Sequence, residues 1–256
     1  MTDRIYRIVS EKWVSTSVGV LALIVCWQVL SLFLHEIVVA SPSDTLISLI
    51  RLLSDDEFYH SLFLTVYRLF AGILAGSMAG LILGIAAGLN NTLKNILEPF
   101  GWVLMSIPPV IVTMLAMLWF GMGSFMVIFI ASLLLVPFVY FNALKGMEMV
   151  DDNLLSMAKL YKYNFFMLLR HIYLPAISSH VLAGMTIVMG SGIRVVVLAE
   201  LLGASDGIGF EVVTARSSIE VESIFAWAVV TLLIAACLEY VVLNPIQKRI
   251  LRWKTI

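Results

Sequence analysis

The sequence predicts an all-α polytopic membrane protein with six transmembrane helices, and three observations predict it. Of its 256 residues 61% are hydrophobic and 13% charged, with a mean hydropathy of +1.01, whereas soluble domains carry about 25% charged residues. Six stretches stay apolar over the roughly 20 residues a bilayer requires: 14–34, 65–89, 100–120, 125–144, 179–202 and 225–243. Basic residues segregate between the loops. Arg4, Arg7, Lys12, Lys94, Lys145, Lys159, Lys162, Arg170, Lys248, Arg249, Arg252 and Lys254 fall on one side, and Arg51 and Arg216 on the other. The positive-inside rule makes the first side cytoplasmic, with both termini there. The expected location is a membrane whose cytoplasmic face carries the basic loops.

The first span is longer than the about 7–15 apolar residues of a signal peptide, so it reads as retained. Cys26 and Cys237 lie inside spans, which predicts buried structural thiols, no disulfide and no metal site. Ala40-Ser41-Pro42-Ser43-Asp44 is a turn and helix start, and 45–53 is amphipathic enough for a short external helix. The second span carries Gly72, Gly76, Gly80, Gly84 and Gly88. A glycine every fourth residue clears one helix face for close approach, either for packing within the subunit or for sliding during gating. Arg68, near the outer end of that span, reads as a snorkelling side chain. In the third span Ile107-Pro108-Pro109 removes amide donors and pushes Ile107 off helical angles. Such a break either lines a pathway or serves as a packing kink. Pro137 predicts a kink in the fourth span.

Between the fourth and fifth spans lies a polar island, 145–175, patterned as a helical hairpin. Leu154, Ala158, Tyr161 and Phe165 recur at helical spacing on one face, Asp152, Ser156 and Lys159 fall on another, and Leu174-Pro175 is expected to stop the run. A membrane chain keeps such an island to be gripped from the cytoplasm. No segment fits a soluble domain, so 1–256 reads as one transmembrane domain with a docking insert at 145–175.

Little supports an enzyme. The phosphate-cradling G-x-x-x-x-G-K-[ST] is absent. A serine nucleophile at Ser191 has its nearest histidine, His180, on the same span and about 16 Å away by helical rise. The net charge of −1 and the dispersed basic residues give no nucleic-acid signature. Ionisable residues inside spans are more telling, since a charge at the bilayer centre costs about 2.5–3.5 kcal/mol. Arg194 and Glu200 in the fifth span and Glu239 in the sixth are the candidates. Arg194 and Glu200, six positions apart, are not partners on one helix. A pathway-facing Arg194 meeting an anionic solute competes with an ion pair between helices, with Glu239 as partner.

The island resembles the cytoplasmic signature of binding-protein-dependent ATP-binding-cassette (ABC) importers, E-A-A-x3-G-x9-I-x-L-P. Ala158, Ile172, Leu174 and Pro175 match it, while Ser156, Met157 and Lys162 replace its glutamate, first alanine and glycine. Ile107-Pro108-Pro109 with Leu118-Trp119-Phe120-Gly121-Met122-Gly123 is similar to the family's P-P…L-W-F-G-x-G. Ala199-Glu200-Leu201-Leu202-Gly203-Ala204-Ser205-Asp206-Gly207-Ile208-Gly209-Phe210 is similar to its A-E-M-L-G-A-S-x-G-L-G-Y run. The Ser41-Pro42-Ser43 turn also fits, and the likeness points to the nitrate/sulfonate/taurine-type branch.

The resemblance implies the type I importer permease (MetI-like) fold, working as a homodimer with two ATPase subunits and an external or periplasmic solute-binding protein. ATP and Mg would be held by the partner ATPase, with no cofactor on this chain. The island would form coupling helices that begin at the cap Asp151 and contact the ATPase through Leu154, Leu155, Ser156, Ala158, Tyr161, Lys162, Ile172, Leu174 and Pro175. Lys162 or Asn164 would make the turn, asparagine tolerating that backbone better. Pro108, Pro109, Arg194 and Glu200 would border the pathway. The implied solute is a small anion such as nitrate, a sulfonate, taurine or bicarbonate. A stand-alone channel or secondary transporter is the alternative.

Overall fold

The computed structural model describes residues 2–35, 37–245 and 247, excepting the side chains of 2–15 and 152. Arg4, Arg7, Lys12 and the basic tail from Lys248 to Lys254, which carry part of the orientation argument, lie outside the described side chains. Eleven α-helices form among the described residues: α1 (Thr2–Phe33), α2 (Pro42–Leu52), α3 (Asp56–Leu89), α4 (Asn91–Ser106), α5 (Pro109–Phe120), α6 (Ser124–Glu148), α7 (Asp152–Leu160), α8 (Phe165–Leu168), α9 (Leu174–Gly203), α10 (Ile208–Ser217) and α11 (Val221–Cys237). Five helical stretches are long and apolar enough to cross a membrane, and a sixth exists if the bent pair α4 and α5 counts as one.

The break in that pair has the expected cause. Ile107 takes φ −73° and ψ 130°, extended rather than helical, because the ring of Pro108 excludes the helical region for its predecessor. Pro108 is extended as well, Pro109 opens α5 at a position needing no amide donor, and the chain bends by 103°. α6, by contrast, runs through Pro137 without interruption.

Leu174-Pro175 does not end a helix, contrary to the sequence expectation. A π-helical turn, Leu169–Tyr173, joins α8 to α9, so that Phe165–Gly203 is one helical rod. The wider turn, closed by Leu174 N–H to the Leu169 carbonyl, gives the proline ring room where the hydrogen-bond ladder changes register. A second π-helical turn, Leu238–Leu243, extends α11.

The chain divides into two compact units. The first holds residues up to Tyr59 together with Val212–Val229. Ser41 caps α2 there by accepting the Asp44 amide at 3.1 Å, with Pro42 at the first turn. Trp27 stacks on Phe225 at 5.5 Å and donates its indole N–H to the Ala40 carbonyl at 2.9 Å.

The second unit, His60–Glu211 with residues from Val230 on, includes the island, and its core is the α6–α9 contact. Val127, Ile130, Ala131, Leu135 and Val139 of α6 are buried with Val188, Ile193, Val196 and Ala199 of α9 and Leu69 and Ile73 of α3. The glycine stripe of α3 lies against α6 in the same unit. Positions 72, 76, 80, 84 and 88 meet Ala131, Ser132, Val136, Ala143 and Met147 in turn. Packing within the subunit therefore occupies this groove. Cys26 and Cys237 correct the thiol expectation: both are free and exposed, on apolar helix faces rather than in a core.

Candidate functional site

The hairpin is built from two caps and one unusual turn. Asp151 opens α7 by accepting the Asn153 amide at 2.8 Å, and Asn164 opens α8 by accepting the Met167 amide at 2.8 Å. Between them Tyr163 N–H bonds the Ala158 carbonyl at 2.9 Å and Lys162 N–H bonds the Lys159 carbonyl at 3.1 Å, the two bonds of a Schellman motif. That motif needs a left-handed residue after the helix, and Lys162 supplies it with φ 54°. The turn thus falls on the lysine that stands in the signature's glycine position, and Asn164 caps the following helix instead. A left-handed non-glycine residue costs about 1–2 kcal/mol. Lys162→Gly is therefore expected to slow amide exchange across α7 by about threefold or more, the gain being trimmed by glycine's greater freedom in the unfolded chain. Hydrogen–deuterium exchange of the purified protein reads this directly, and faster exchange would contradict it.

The predicted coupling residues divide into two sets. Leu154 on α7, Tyr161 just after it and Phe165 on α8 are exposed, while Ala158 is buried at 1% and forms the floor beside them. Leu155 turns inward. It packs with Leu168 and Leu169 on the cluster of Met147, Tyr173 and Ile177, which ties the hairpin to α6 and to the start of α9. Leu154, Ala158, Ile172 and Pro175 line one groove of about 360 Å³ together with Tyr163 and His171. Ser156 and Leu174 are exposed. Sequence periodicity overlooks the hairpin's two most exposed apolar side chains, Leu160 at 82% and Phe166 at 78%. Their signal was present, since both sit on polar-flanked helices too short to need them for a core.

The predicted pathway residues do not share one place. Pro108 and Pro109 form the α4–α5 break. Arg194 is exposed, and its Nε and Nη2 donate to the Gly190 carbonyl at 3.2 and 3.0 Å. It lines a cavity of about 310 Å³ with Thr186, Gly190, Ser191 and Glu239, and no ion pair joins Arg194 to Glu239.

Glu200 is a correction. It is 1% exposed, and its carboxylate meets Arg68 rather than a cavity. Arg68, expected to snorkel, is fully buried. Its Nη1 donates to Glu200 Oε1 at 2.8 Å and to the Asp206 carbonyl at 2.9 Å, its Nε donates to Ser124 Oγ at 3.0 Å, and its Nη2 also pairs with the Asp206 carboxylate. Glu200 Oε2 accepts the Gly209 amide at 3.0 Å and the Thr65 hydroxyl at 2.8 Å, and that hydroxyl accepts the Ile208 amide at 2.9 Å. Burial demands this saturation, because neither charge has water to turn to. Gly207 makes room for it. With φ +96°, any side chain there would be strained, and its Cβ would lie 2.6 Å from Glu200 Oε1. The cluster joins α3, α6, α9 and the loop before α10.

Long apolar helices, one span broken at paired prolines and a polar hairpin with uncovered apolar side chains define a multi-pass helical membrane protein. Its sequence over residues 72–253 matches the family described as binding-protein-dependent transport system inner membrane component, and the chain belongs to that family. It is 28% identical to the taurine transport system permease protein TauC of Escherichia coli K12, over 95% of this chain and 91% of that one. It is 26% identical, over 91% of this chain and 84% of the relative, to SsuC of Bacillus subtilis 168, whose name assigns it to aliphatic sulfonates transport. Among solved structures it is similar to a bacterial ABC transporter involved in import of the acidic polysaccharide alginate. That likeness has a TM-score of 0.63 and 15% identity, and covers 93% of this chain and 98% of the other. The fold is that of ABC importer permeases, and the chain is an importer permease subunit.

Proposed function

We propose that this permease is driven by a pair of separate ATP-binding-cassette subunits gripping α7 and α8, and that it moves a small solute bearing an anionic group by alternating access. The observation that carries the reading is the uncovered apolar set on the hairpin. Leu154, Leu160, Tyr161, Phe165 and Phe166 are exposed within a segment too polar to lie in a bilayer. Side chains of this size gain about 1.5–3 kcal/mol each when a partner covers them. The groove floored by Ala158 and bordered by Ile172 and Pro175 gives such a partner a concave seat.

Leu155, Leu168 and Leu169 make the hairpin a lever rather than a tether, because they pack it onto the residues where α6 ends and α9 begins. ATP-driven closure of the ATPase pair then displaces α6 and α9 with the hairpin as one body. ATP and Mg belong to those partner subunits, and a second permease copy and an external binding protein complete the assembly. In this arrangement the hairpin and both termini are cytoplasmic. The anionic solute is supported by Arg194 on its cavity wall and by sulfonate and taurine in the names of two relatives.

The double variant Leu160→Asp/Phe166→Asp tests the docking. Both side chains are exposed, so the fold stays intact while the partner must desolvate two carboxylates. ATPase co-purifying with the permease is expected to fall at least about 100-fold. Unaltered stoichiometric assembly would remove the proposal and leave a permease that couples elsewhere.

A further inference from the structure

Two opposite charges line the cavity between α9 and the end of α11. Arg194 and Glu239 both border it, and neither forms an ion pair with any described residue. The guanidinium is steadied only by the Gly190 carbonyl of its own helix, through Nε and Nη2, which leaves Nη1 without a protein partner among the described residues. Glu239 is exposed and stands in the π-helical turn Leu238–Leu243, whose register shift sets it off the face a regular α-helix would give it. π turns of this kind concentrate at functional positions.

Both side chains lie within apolar spans, where an uncompensated charge costs about 2.5–3.5 kcal/mol. An arrangement kept for stability alone would close them into one ion pair. Here they share a cavity of about 310 Å³ instead, a volume at the small end of the roughly 300–1,000 Å³ range of ligand pockets. Small residues keep it open. A Cβ added at Gly190 has nothing within 4 Å, and Thr186 and Ser191 add polar lining.

We infer that this cavity is a solute site of the permease for a small zwitterion, with Arg194 taking the anionic group and Glu239 the cationic one. A plain anion fits less well, because the carboxylate that would welcome an ammonium repels a second negative charge. The inference rests on the importer reading and narrows its solute class.

The test measures equilibrium binding to the full chain, assembled with its ATPase in lipid nanodiscs. Taurine and β-alanine serve as zwitterionic probes, and ethanesulfonate and ethylamine as singly charged counterparts. The zwitterions are expected to bind about tenfold or more tightly than either counterpart. Glu239→Gln should erase that preference over ethanesulfonate, and Arg194→Gln should abolish binding of both sulfonates. Gly190→Leu, whose Cβ has nothing within 4 Å and whose longer side chain takes up cavity space, should abolish binding while ATPase assembly persists. Equal binding of all four probes, or a preference that survives Glu239→Gln, would overturn the inference while intact ATPase assembly upholds the importer reading. Failure of the wild-type chain to assemble with any ATPase would instead overturn that reading.

Discussion

Glu200→Ala is expected to lower the thermal midpoint of the detergent-solubilised protein by roughly 10 °C. Removing one partner of a fully buried ion pair costs about 3–5 kcal/mol, because the other charge is left without water or counter-charge, and each kcal/mol moves the midpoint of a chain this size by about 2–4 °C. Asp206 stays beside Arg68 and holds the loss toward the lower end of that range. The same truncation strips acceptors from the Thr65 hydroxyl and the Gly209 amide, which adds to it. The diagnostic companion is Arg68→Leu/Glu200→Gln. It removes both charges of the buried pair, the new amide oxygen still accepts from Thr65 and Gly209, and Asp206, its side chain 39% exposed, can turn to water, so most of the lost stability should return. A double variant as unstable as Glu200→Ala would show that the pair acts through something other than charge compensation.

This cluster also marks where sequence reading stopped. Arg68 was legible as a charge near a span end, and snorkelling is the ordinary fate of such a residue. Its partner lies 132 positions away on another helix, and no spacing rule connects them. One clue was available: the predicted topology sets the start of the second span and the end of the fifth at the same membrane level, so two opposite charges shared a depth. Local rules succeeded where the cause was local. The extended Ile107, the Asp151 cap and the Ser41 start of α2 each follow from a residue and its immediate neighbours.

Where neighbours compete, residue pattern leaves the role open between them. Lys162, not Asn164, takes the left-handed turn, because the six-residue geometry of the Schellman motif fixes that position whatever residue occupies it. Pro175 fails to end the helix because a π turn absorbs the proline, an arrangement without a sequence signature of its own. On the hairpin, Leu155, which the resemblance implies as an ATPase contact, packs on the cluster of Met147, Tyr173 and Ile177 instead. Which apolar residues remain uncovered depends on the packing of α7 against α6 and α9, and a helical wheel carries no information about that.

Gly80→Leu is expected to break the α3–α6 contact, and its sign separates packing from propensity. In an open helix, replacing glycine with a better helix former gains about 1 kcal/mol. At Gly80 an added Cβ would sit 2.6 Å from the Val136 carbonyl oxygen, 2.9 Å from the Val139 Cβ and 3.1 Å from the Tyr140 amide nitrogen. Two of these obstacles are backbone and cannot rotate aside, so α3 must move away from α6. Overpacking of this kind costs about 1–3 kcal/mol for a single side chain. Gly76 faces the Ser132 carbonyl at the same 2.6 Å, so adding Gly76→Leu should carry the loss beyond what a folded subunit tolerates. The expected result is a single variant of lowered thermal midpoint and a double variant recovered only as aggregate. Gly190→Leu is the control, since an added Cβ there has nothing within 4 Å, so the midpoint is expected to stay within a few degrees of the parent. Equal stability of Gly80→Leu and Gly190→Leu would mean that α3 and α6 do not depend on this close approach, and the stripe would then need a role outside the packed subunit.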